Sequence, residues 1–428
     1  MKLGIIAAGD AAALAPLFAG GWDPPGDVRE TVASIVGAVR SRGDEALVEY
    51  TRSFDDPKAT IEGLRVAIPP AGEVDGLVPQ EIAAGLRLAR KRVHDFHERQ
   101  RPANIMLADP DGTVNALLYQ PLGSVGAYVP GGTAVLPSSV IMTTTPAKLA
   151  GVRRVVVTTP PGRDGRISPA ILFACGICGV DELYAVGGAQ AVAALAYGTP
   201  SIAPVDKIVG PGNVWVTEAK RQVFGRCGID GLAGPSEVLV VADATAKARF
   251  VAGEMLAQAE HDPLARVAAV STERRLLAEV AALLDGDFAR ETGRSEIVES
   301  VIARRAFLIH ARSRADVIEV IEKFAPEHLS LQVADPWDLV PSIRNAGAIF
   351  VGDDTPVAAG DYIAGSNHVL PTSGAARFAS GLQTLDFYRT MTLVENSRAR
   401  MQGDRDVLAA LATFEGLPAH ARTALMRE

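Results

Sequence analysis

The chain has 428 residues, a formal net charge of −8 and 48% hydrophobic residues. Its length exceeds one ordinary hydrophobic core, so two or three domains are expected. Nucleic-acid binding requires clustered Lys and Arg, and the acidic balance therefore argues against a phosphate backbone as the partner. No stretch approaches the roughly 20 apolar residues of a membrane span, and no cleavage site follows the mildly apolar start. We expect a globular cytoplasmic protein that binds neither nucleic acid nor membranes.

Strands and helices alternate from about residue 120 to residue 245. Four segments each contain a strand and a turn and are followed by a helix, namely SVGAYVPGG, VRRVVVTTPPG, DELYAVGG and VDKIVGPGN, and SEVLVVAD is the next strand. Alternation at these lengths is typical of parallel β-α-β units with helices on both faces. The pattern predicts an open, doubly wound α/β sheet.

A second alternating set follows, in which ARVAAVST, RAFLIHA and GAIFVG are strands and TAKARFVAGEMLAQAEH and ADVIEVIEKFA are helices. The last part, from about Thr384, is predicted to be largely helical, with two short helices separated at Gly416 and Pro418. We expect this last part to be a docking tail.

Three glycine-rich turns, YVPGG, VGGAQ and GPGN, end strands of the first set. Ligands of doubly wound sheets bind beyond the carboxyl ends of the strands, and free N–H groups at a helix start suit a phosphate. Glycines at such turns also serve only to permit tight backbone angles, so both interpretations stay open. Because G-x-G-x-x-G is absent, any NAD must bind by another arrangement.

The stretch LAQAEHDP groups polar residues at a predicted helix end. Gln258 and His261 are three residues apart and share a face, and Pro263 ends the helix. A metal site, an acid/base pair and a polar helix terminus are all compatible with this pattern. One histidine is too few for a metal site, and a histidine at a helix carboxyl end is also stabilised by the helix dipole.

The stretch FAPEHLSLQV places Glu327 beside His328 at the start of a predicted strand. Leu329, Leu331 and Val333 alternate with polar residues, which predicts a half-buried strand whose His328 faces away from the apolar side. An adjacent carboxylate and imidazole are a candidate general acid/base pair, and simple surface polarity is the alternative.

Further polar residues lie in loops and in the tail. Asp361 and His368 fall in a long loop after a strand, and Glu415 and His420 lie near the end of the chain. Loops on a rigid scaffold commonly carry function, although they also tolerate polar residues without a role.

Two other groups are given structural interpretations. His94 and His97 lie in the charged segment KRVHDFHERQR and are predicted to occupy a solvated helix face. Cys175 and Cys178 form a lone C-x-x-C in an apolar helix, and no second ligand pair completes a zinc site. We predict that these cysteines are buried for packing.

Nine segments together carry a resemblance, and they are RGDEALVEYTRSFD, VGAYVPGGTAVLPSSV, VGGAQAVAALAYGT, VDKIVGPGN, AGPSEVLVVAD, LAQAEHDP, FAPEHLSLQ, AGDYIAGSNHVLPTSGAARF and EGLPAHA. In this order and near this spacing, they make the chain similar to the histidinol dehydrogenase family over nearly its whole length. The resemblance implies two Rossmann-like domains, an N-terminal extension and a helical tail that swaps between the subunits of a homodimer. The implied boundaries are an extension at 1–21, a discontinuous domain at 22–127 and 238–383, an NAD-side domain at 128–237 and a dimerisation tail at 384–428.

The resemblance also implies roles for individual residues. One Zn²⁺ per subunit would be held by Gln258, His261, Asp361 and His420, the last supplied by the partner subunit. NAD⁺ would contact Tyr128, Gln190 and Asn213. The substrate would contact Ser236, Gln258, His261, His328, Asp361, His368, Glu415 and His420.

The implied reaction oxidises L-histidinol to L-histidine through L-histidinal with two NAD⁺. His328 would accept the alcohol proton and Glu327 would activate water. A related zinc- and NAD-dependent dehydrogenase of another small alcohol, such as a sulfonated diol, is the main alternative, although Glu415 suits a cationic amino alcohol better. A zinc hydrolase would leave the glycine turns unexplained, and a nucleotide-binding protein without activity would not need Glu327 and His328.

Overall fold

The computed structural model describes residues 3–21, 23–131, 135–290 and 294–427. The strands are β1 (Ile5–Ala7), β2 (Arg65–Val66), β3 (Ile105–Ala108), β4 (Val114–Pro121), β5 (Ser124–Tyr128), β6 (Arg154–Thr159), β7 (Glu182–Ala185), β8 (Lys207–Val209), β9 (Gly228–Ile229), β10 (Glu237–Ala242), β11 (Arg266–Ser271), β12 (Ala306–His310), β13 (His328–Gln332), β14 (Ala348–Val351) and β15 (Tyr388–Glu395).

The helices are α1 (Ala11–Phe18), α2 (Gly26–Arg42), α3 (Asp44–Phe54), α4 (Ile61–Leu64), α5 (Gln80–Glu98), α6 (Pro137–Ala150), α7 (Pro169–Cys178), α8 (Gly188–Tyr197), α9 (Val214–Val223), α10 (Ala248–Ala259), α11 (Arg274–Asp285), α12 (Asp287–Arg290), α13 (Ser295–Arg305), α14 (Arg314–Phe324), α15 (Pro336–Leu339), α16 (Val357–Tyr362), α17 (Arg398–Phe414) and α18 (Pro418–Leu425). Short 3-10 helices lie at Val340–Ser342, Ala375–Arg377 and Thr384–Phe387.

Sheet A contains six parallel strands in the order β1-β12-β11-β10-β13-β14. Alternate residues of β10 enter different cores: Val238 and Val240 pack on one face of the sheet, and Leu239 and Val241 on the other. Burial on both faces explains why this strand is apolar almost throughout. The strand order reverses between β10 and β13, which are adjacent.

Sheet B also has six strands, in the order β2-β7-β6-β5-β8-β9, and β2 alone among them is antiparallel to its neighbour. Helices α6 and α7 cover one face, and α8 and α9 cover the other. The strand order reverses between β5 and β8. The two sheets confirm the predicted α/β fold with doubly wound parallel sheets, and the predicted strands and helices of both sets are present.

The tail differs from the prediction in one element. Residues 388–395 form β15, which pairs over eight positions with β4 in a three-stranded antiparallel sheet, sheet C, in the order β15-β4-β3. The expectation of a largely helical tail is therefore wrong for this segment, because pairing with a distant strand decides its conformation. The two predicted helices of the tail are present as α17 and α18.

The N-terminal residues join sheet A. Strand β1 pairs with β12, and Leu14 and Leu17 of α1 are fully buried against that sheet. Helices α2 and α3, which the sequence assigns to the discontinuous domain, pack instead with α8 on sheet B. The domain boundaries themselves stay a prediction.

Three smaller points concern burial. Cys175 and Cys178 are buried free thiols, as predicted for packing. His97 is fully buried and its Nδ1 lies 2.9 Å from the Val93 carbonyl oxygen, so its predicted place on a solvated face is wrong. Among the described residues, no helix is long and apolar enough to cross a membrane.

Candidate active site

The predicted acid/base pair lies at the amino end of β13, which lies between β10 and the edge strand β14 of sheet A. His328 is the first residue of this strand, lies opposite Val238 of β10, and is only 4% exposed. All five residues of β13 are buried, so the predicted half-buried strand is wrong. Alternate side chains of β13 do point to opposite faces of sheet A. Both faces are covered by helices, and β10 and β14 flank the strand on either side.

Hydrogen bonds fix the orientation of the pair. Nδ1 of His328 lies 2.9 Å from the carbonyl oxygen of Glu237, to which it must donate a proton. In the neutral imidazole this leaves Nε2 as the proton acceptor. The backbone N–H of Glu237 donates to Oε2 of Glu327 at 2.9 Å, and that oxygen lies 3.4 Å from Nδ1 of His328.

The charges of this region are strongly coupled. Burial lowers the pKa of His328, but Glu327, Asp361 and the Glu237 carbonyl together outweigh burial and raise this pKa to about 9. Burial raises the pKa of Glu237 to about 7, although the Arg266 guanidinium acts in the opposite direction. Large pKa shifts with a specific charge partner are typical of functional sites.

Asp361 and His368 lie together, although Asp361 is in the short helix α16 and only His368 is in the predicted loop. Nδ1 of His368 is 3.2 Å from the backbone oxygen of Asp361 and 4.0 Å from its Oδ1. Burial lowers the pKa of His368, which keeps the imidazole neutral. Its Nε2 is 3.3 Å from Oγ of Ser139 in α6, the helix that follows β5 of sheet B. The loop therefore links the amino end of sheet A to the carboxyl end of sheet B.

Gln258 and His261 lie where α10 ends, as predicted. Gln258 is 3% exposed, and its Nε2 has no hydrogen-bond partner among the described residues. His261 is exposed and follows the helix in a turn. In the described part of the chain, no group of three or more His, Cys, Asp or Glu side chains is placed to hold a metal ion.

Glu415 and His420 are exposed on the tail, at the end of α17 and in α18. The two helices pack on each other through Ala409, Ala412 and Ala421. Within the described residues of one subunit, His420 joins no metal-binding group with the other predicted ligands.

The predicted NAD residues follow three strands of sheet B. The Tyr128 hydroxyl, whose pKa burial raises to about 12, accepts a hydrogen bond from the Gly188 N–H at 3.2 Å. Gln190 lies within 3.5 Å of Asp55, and its Oε1 is buried without a partner among the described residues. Asn213 caps α9, because its Oδ1 accepts the N–H groups of the second and third residues that follow it, both at 3.1 Å.

Two of the three glycine turns are fully described, whereas residues 132–134, which include the second glycine of YVPGG, lie outside the described residues. Gly210 of GPGN has φ +109°, and a Cβ there would lie 2.2 Å from the Tyr128 carbonyl oxygen. Gly188 of VGGAQ has φ +64°. Glycine is therefore required at Gly210 by both backbone angle and space.

Two contributors were missed by the sequence analysis. Glu237 contacts both members of the pair, yet it follows the predicted Ser236 in a motif interpreted only as the start of a strand. Ser139 contacts His368 from a distant helix, a relation that no local pattern could indicate. Ser236 itself is partly buried at the amino end of β10, where its carbonyl oxygen accepts the Arg266 N–H at 3.0 Å.

Comparison with known proteins decides the family. The family model described as histidinol dehydrogenase matches residues 23–428. The chain belongs to the histidinol dehydrogenase family. The chain is 46% identical to the histidinol dehydrogenase of Synechococcus sp. over 398 residues, which are 93% of this chain and 92% of the relative. It is also 46% identical to that of Rhodospirillum rubrum, over 100% of this chain and 98% of the relative.

A solved structure supports the same conclusion. The crystal structure of histidinol dehydrogenase from Elizabethkingia anophelis matches with a TM-score of 0.91 and 32% sequence identity, over 100% of this chain and 98% of that chain. The fold described above is thus that of a histidinol dehydrogenase, and the chain is an NAD-dependent dehydrogenase of histidine biosynthesis by its family.

Proposed function

We propose that this chain oxidises L-histidinol to L-histidine through bound L-histidinal, with the reduction of two NAD⁺. The observation that carries the proposal is the buried pair of Glu327 and His328, oriented by Glu237 at the amino end of β13. Curated relatives named histidinol dehydrogenase, at 46% identity over at least nine-tenths of the chain, support the substrate.

His328 accepts the proton of the substrate alcohol in each oxidation. Because its Nδ1 donates to the Glu237 carbonyl, Nε2 is the atom that receives the proton in the neutral imidazole, the form that predominates above a pH of about 9. Bound NAD⁺ would supply the acceptor for the hydride that leaves the alcohol carbon. Base catalysis of this type contributes about 10²–10⁴-fold to the rate.

Glu327 accepts a proton from the water that adds to the aldehyde carbon. The new C–O bond gives a hydrated aldehyde, and the second oxidation of this hydrate yields the carboxylate. Per histidinol, one water is consumed and two hydrides and three protons leave the carbon skeleton and the water. Glu327 is 6% exposed, so its carboxylate is largely shielded from bulk solvent.

Zinc would be held by Gln258, His261 and Asp361, with His420 of a second subunit. The chemistry of the donor set fits, because the side-chain oxygens of Gln258 and Asp361 and the imidazoles of the two histidines are groups that bind zinc. Bound zinc would supply orientation of the imidazole and amine of the substrate. His368 lies against Asp361 and would contact the substrate from the loop that follows α16.

The carboxyl end of sheet B supplies the NAD⁺ side. Tyr128 and Asn213 follow β5 and β8, the adjacent strands between which the order reverses, and such a switch point is the usual nucleotide site of doubly wound sheets. Gln190 presents a buried oxygen without a partner among the described residues. The contact between Ser139 of α6 and His368 supports a position of this end of sheet B near the acid/base pair, whose charges act on His368.

Glu415 and His420 would complete the site of the partner subunit in a homodimer with exchanged tails. Support comes from apolar side chains that remain exposed on the tail and on β3. They include Ile105, Met106, Leu107, Val407, Leu411, Phe414 and Met426. Phe414 is 91% exposed, and exposure of several large apolar side chains is typical of a protein interface. The Glu415 carboxylate would pair with the cationic amine of histidinol.

The deciding experiment measures NADH formed per L-histidinol consumed. We expect two NADH per substrate, loss of activity after chelation, and recovery with Zn²⁺. A sulfonated propanediol serves as the control substrate and is expected to give no NADH. Turnover of the sulfonate without turnover of histidinol in zinc-replete protein would assign the chain to another substrate.

A further inference from the structure

We propose that Glu237 is a positioning residue of the active site. It orients the side chains of Glu327 and His328, and Arg266 holds Glu237 in place. The proposal rests on the roles assigned above to these two residues, and it adds the group that orients both. Glu237 lies at the first position of β10, next to Ser236.

The main chain of Glu237 touches each member of the pair. Its N–H donates to Oε2 of Glu327 at 2.9 Å, and its carbonyl oxygen accepts the proton on Nδ1 of His328, also at 2.9 Å. A single residue thus sets the distance between the carboxylate and the imidazole and selects the imidazole tautomer. A small rotation of this residue would displace both groups together.

The side chain of Glu237 is buried, and burial of a carboxylate has a cost in folding free energy. It is 0% exposed, whereas every other residue of β10 is apolar. Its Oε1 accepts hydrogen bonds from Arg266 and, at 3.2 Å, from the Ser373 N–H, while Oε2 is buried without a partner among the described residues. A buried carboxylate is weak evidence for stability, because apolar residues fill such positions at lower cost. Its hydrogen bonds instead fix the orientation of the residue.

Arg266 holds this carboxylate from the first position of β11. Its guanidinium also donates to the backbone oxygens of Leu17, at 2.9 Å, and Ala19, and it lies over the ring of Phe324 at 5.5 Å. These oxygens are at the carboxyl end of α1, so the N-terminal segment helps to hold the arginine. Three separate parts of the chain, namely β10, the end of α1 and α14, thus contact the Arg266 guanidinium and hold it in place.

Sheet B contains a matched pair that has no catalytic neighbour. Arg154 and Glu182 are the first residues of adjacent strands, β6 and β7, and form two hydrogen bonds of 2.7 and 3.1 Å. Glu182 also accepts a hydrogen bond from the Tyr184 hydroxyl at 2.8 Å. This Arg–Glu pair at the amino ends of adjacent parallel strands is less buried than that of sheet A and serves as an internal control.

The test compares Glu237→Gln with Glu182→Gln in the zinc-loaded, full-length protein. Displacement of reacting groups by about 1 Å can cost about 100-fold in rate, so we expect Glu237→Gln to lower kcat by about 10- to 100-fold. The KM for histidinol and for NAD⁺ should change by less than about threefold. Glu182→Gln should lower Tm without changing kcat.

A second readout separates positioning from stability and does not depend on turnover. In protein labelled with ¹⁵N-histidine, the NMR chemical shift of the Nδ1 proton of His328 should change in Glu237→Gln. It should remain unchanged in Glu182→Gln. If Glu237→Gln fails to fold, Arg266→Lys is the second variant. Lysine keeps the positive charge but lacks the guanidinium that contacts Glu237 and the end of α1 together. The same two readouts apply. Equal kcat and unchanged His328 signals in folded variants would overturn the proposal. Failure of the unmodified protein to oxidise histidinol would instead refute the proposed function.

Discussion

The two parallel sheets share an architecture but offer opposite ends to the proposed site. Sheet B contributes the carboxyl ends of its strands, where the contacts come from glycine turns and from uncharged Tyr128, Gln190 and Asn213. Sheet A contributes the amino ends of β10 and β13, where ionisable Glu237, Glu327 and His328 are buried side by side. Each end lies where the strand order of its own sheet reverses.

With the proposed roles, this difference predicts that one sheet serves binding and the other serves proton transfer. Backbone turns at a helix start recognise a ligand through shape and N–H groups, and they need no buried ionisable side chain. Proton transfer needs groups with shifted pKa values, and these require burial and a charged neighbour. We therefore expect substitutions on the sheet A side to affect kcat and those on the sheet B side to affect binding of NAD⁺.

The largest effect is expected for the acid/base pair. Glu327→Gln and His328→Asn should each lower kcat for histidinol oxidation by about 10²–10⁴-fold, because each removes a proton acceptor. Binding of NAD⁺, measured by fluorescence titration, should stay within about threefold of the unmodified protein. A variant of either residue with full activity would refute the assigned roles.

Mixing two inactive variants sharpens this result. If Glu327 of one subunit and His420 of the other form one site, a dimer of Glu327→Gln and His420→Asn subunits contains one intact site and one doubly altered site. Activity should then return after the two variants are unfolded and refolded together. Sites made within a single subunit would leave the mixture as inactive as its components.

A smaller effect is expected at Gly210 on the sheet B side. Alanine would place its Cβ 2.2 Å from the Tyr128 carbonyl oxygen at φ +109°, so the GPGN turn must move. Backbone strain of this kind costs about 1–3 kcal/mol, and we expect a lower Tm and an NAD⁺ KM raised by about tenfold or more.

Gly37→Ala is the matched control for that change. Gly37 lies inside α2 with open space around its Cα, and alanine there should raise stability by about 0.5–1 kcal/mol. An unchanged NAD⁺ KM in Gly210→Ala would show that the GPGN turn does not contact the cofactor.

Local sequence patterns predicted much of this arrangement and missed its non-local parts. The β-α-β alternation predicted both sheets, and the dipeptide of Glu327 and His328 was recognised from its position before a strand. Strand β15 was missed because its pairing partner β4 lies more than 250 residues away, and burial of His97 depends on packing beyond its own helix. Periodicity reports which residues share a face, but not whether another layer covers that face.

The same limit applies within the site. The alternation in LSLQ correctly predicted that His328 lies on the face opposite Leu329. That face is covered as well, so the predicted exposure of His328 is wrong. Glu237 was overlooked because its importance lies in main-chain contacts with a strand 91 positions later. The family resemblance supplied roles for residues such as Gln258, whose type alone suggests no metal site.

The smallest expected effect is a change in the titration of His328, which tests the charge coupling on the sheet A side directly. In metal-free protein the pKa of His328 is raised from 6.5 to about 9, chiefly by Glu327 against the opposing effect of burial. Since the folded state binds this proton more tightly, the stabilisation is complete below pH 6.5 and is lost as the pH rises through about 9. Glu327→Gln should lower the pKa of His328 toward or below its ordinary value, as followed by NMR of ¹⁵N-labelled imidazole. The free energy of unfolding of this variant should then fall less between pH 6.5 and 9 than that of the unmodified protein. In Glu182→Gln, His328 should titrate as it does in the unmodified protein. Identical His328 titrations in all three proteins would mean that the carboxylate does not set the charge of the imidazole, and the division of roles between the two sheets would lose its electrostatic basis.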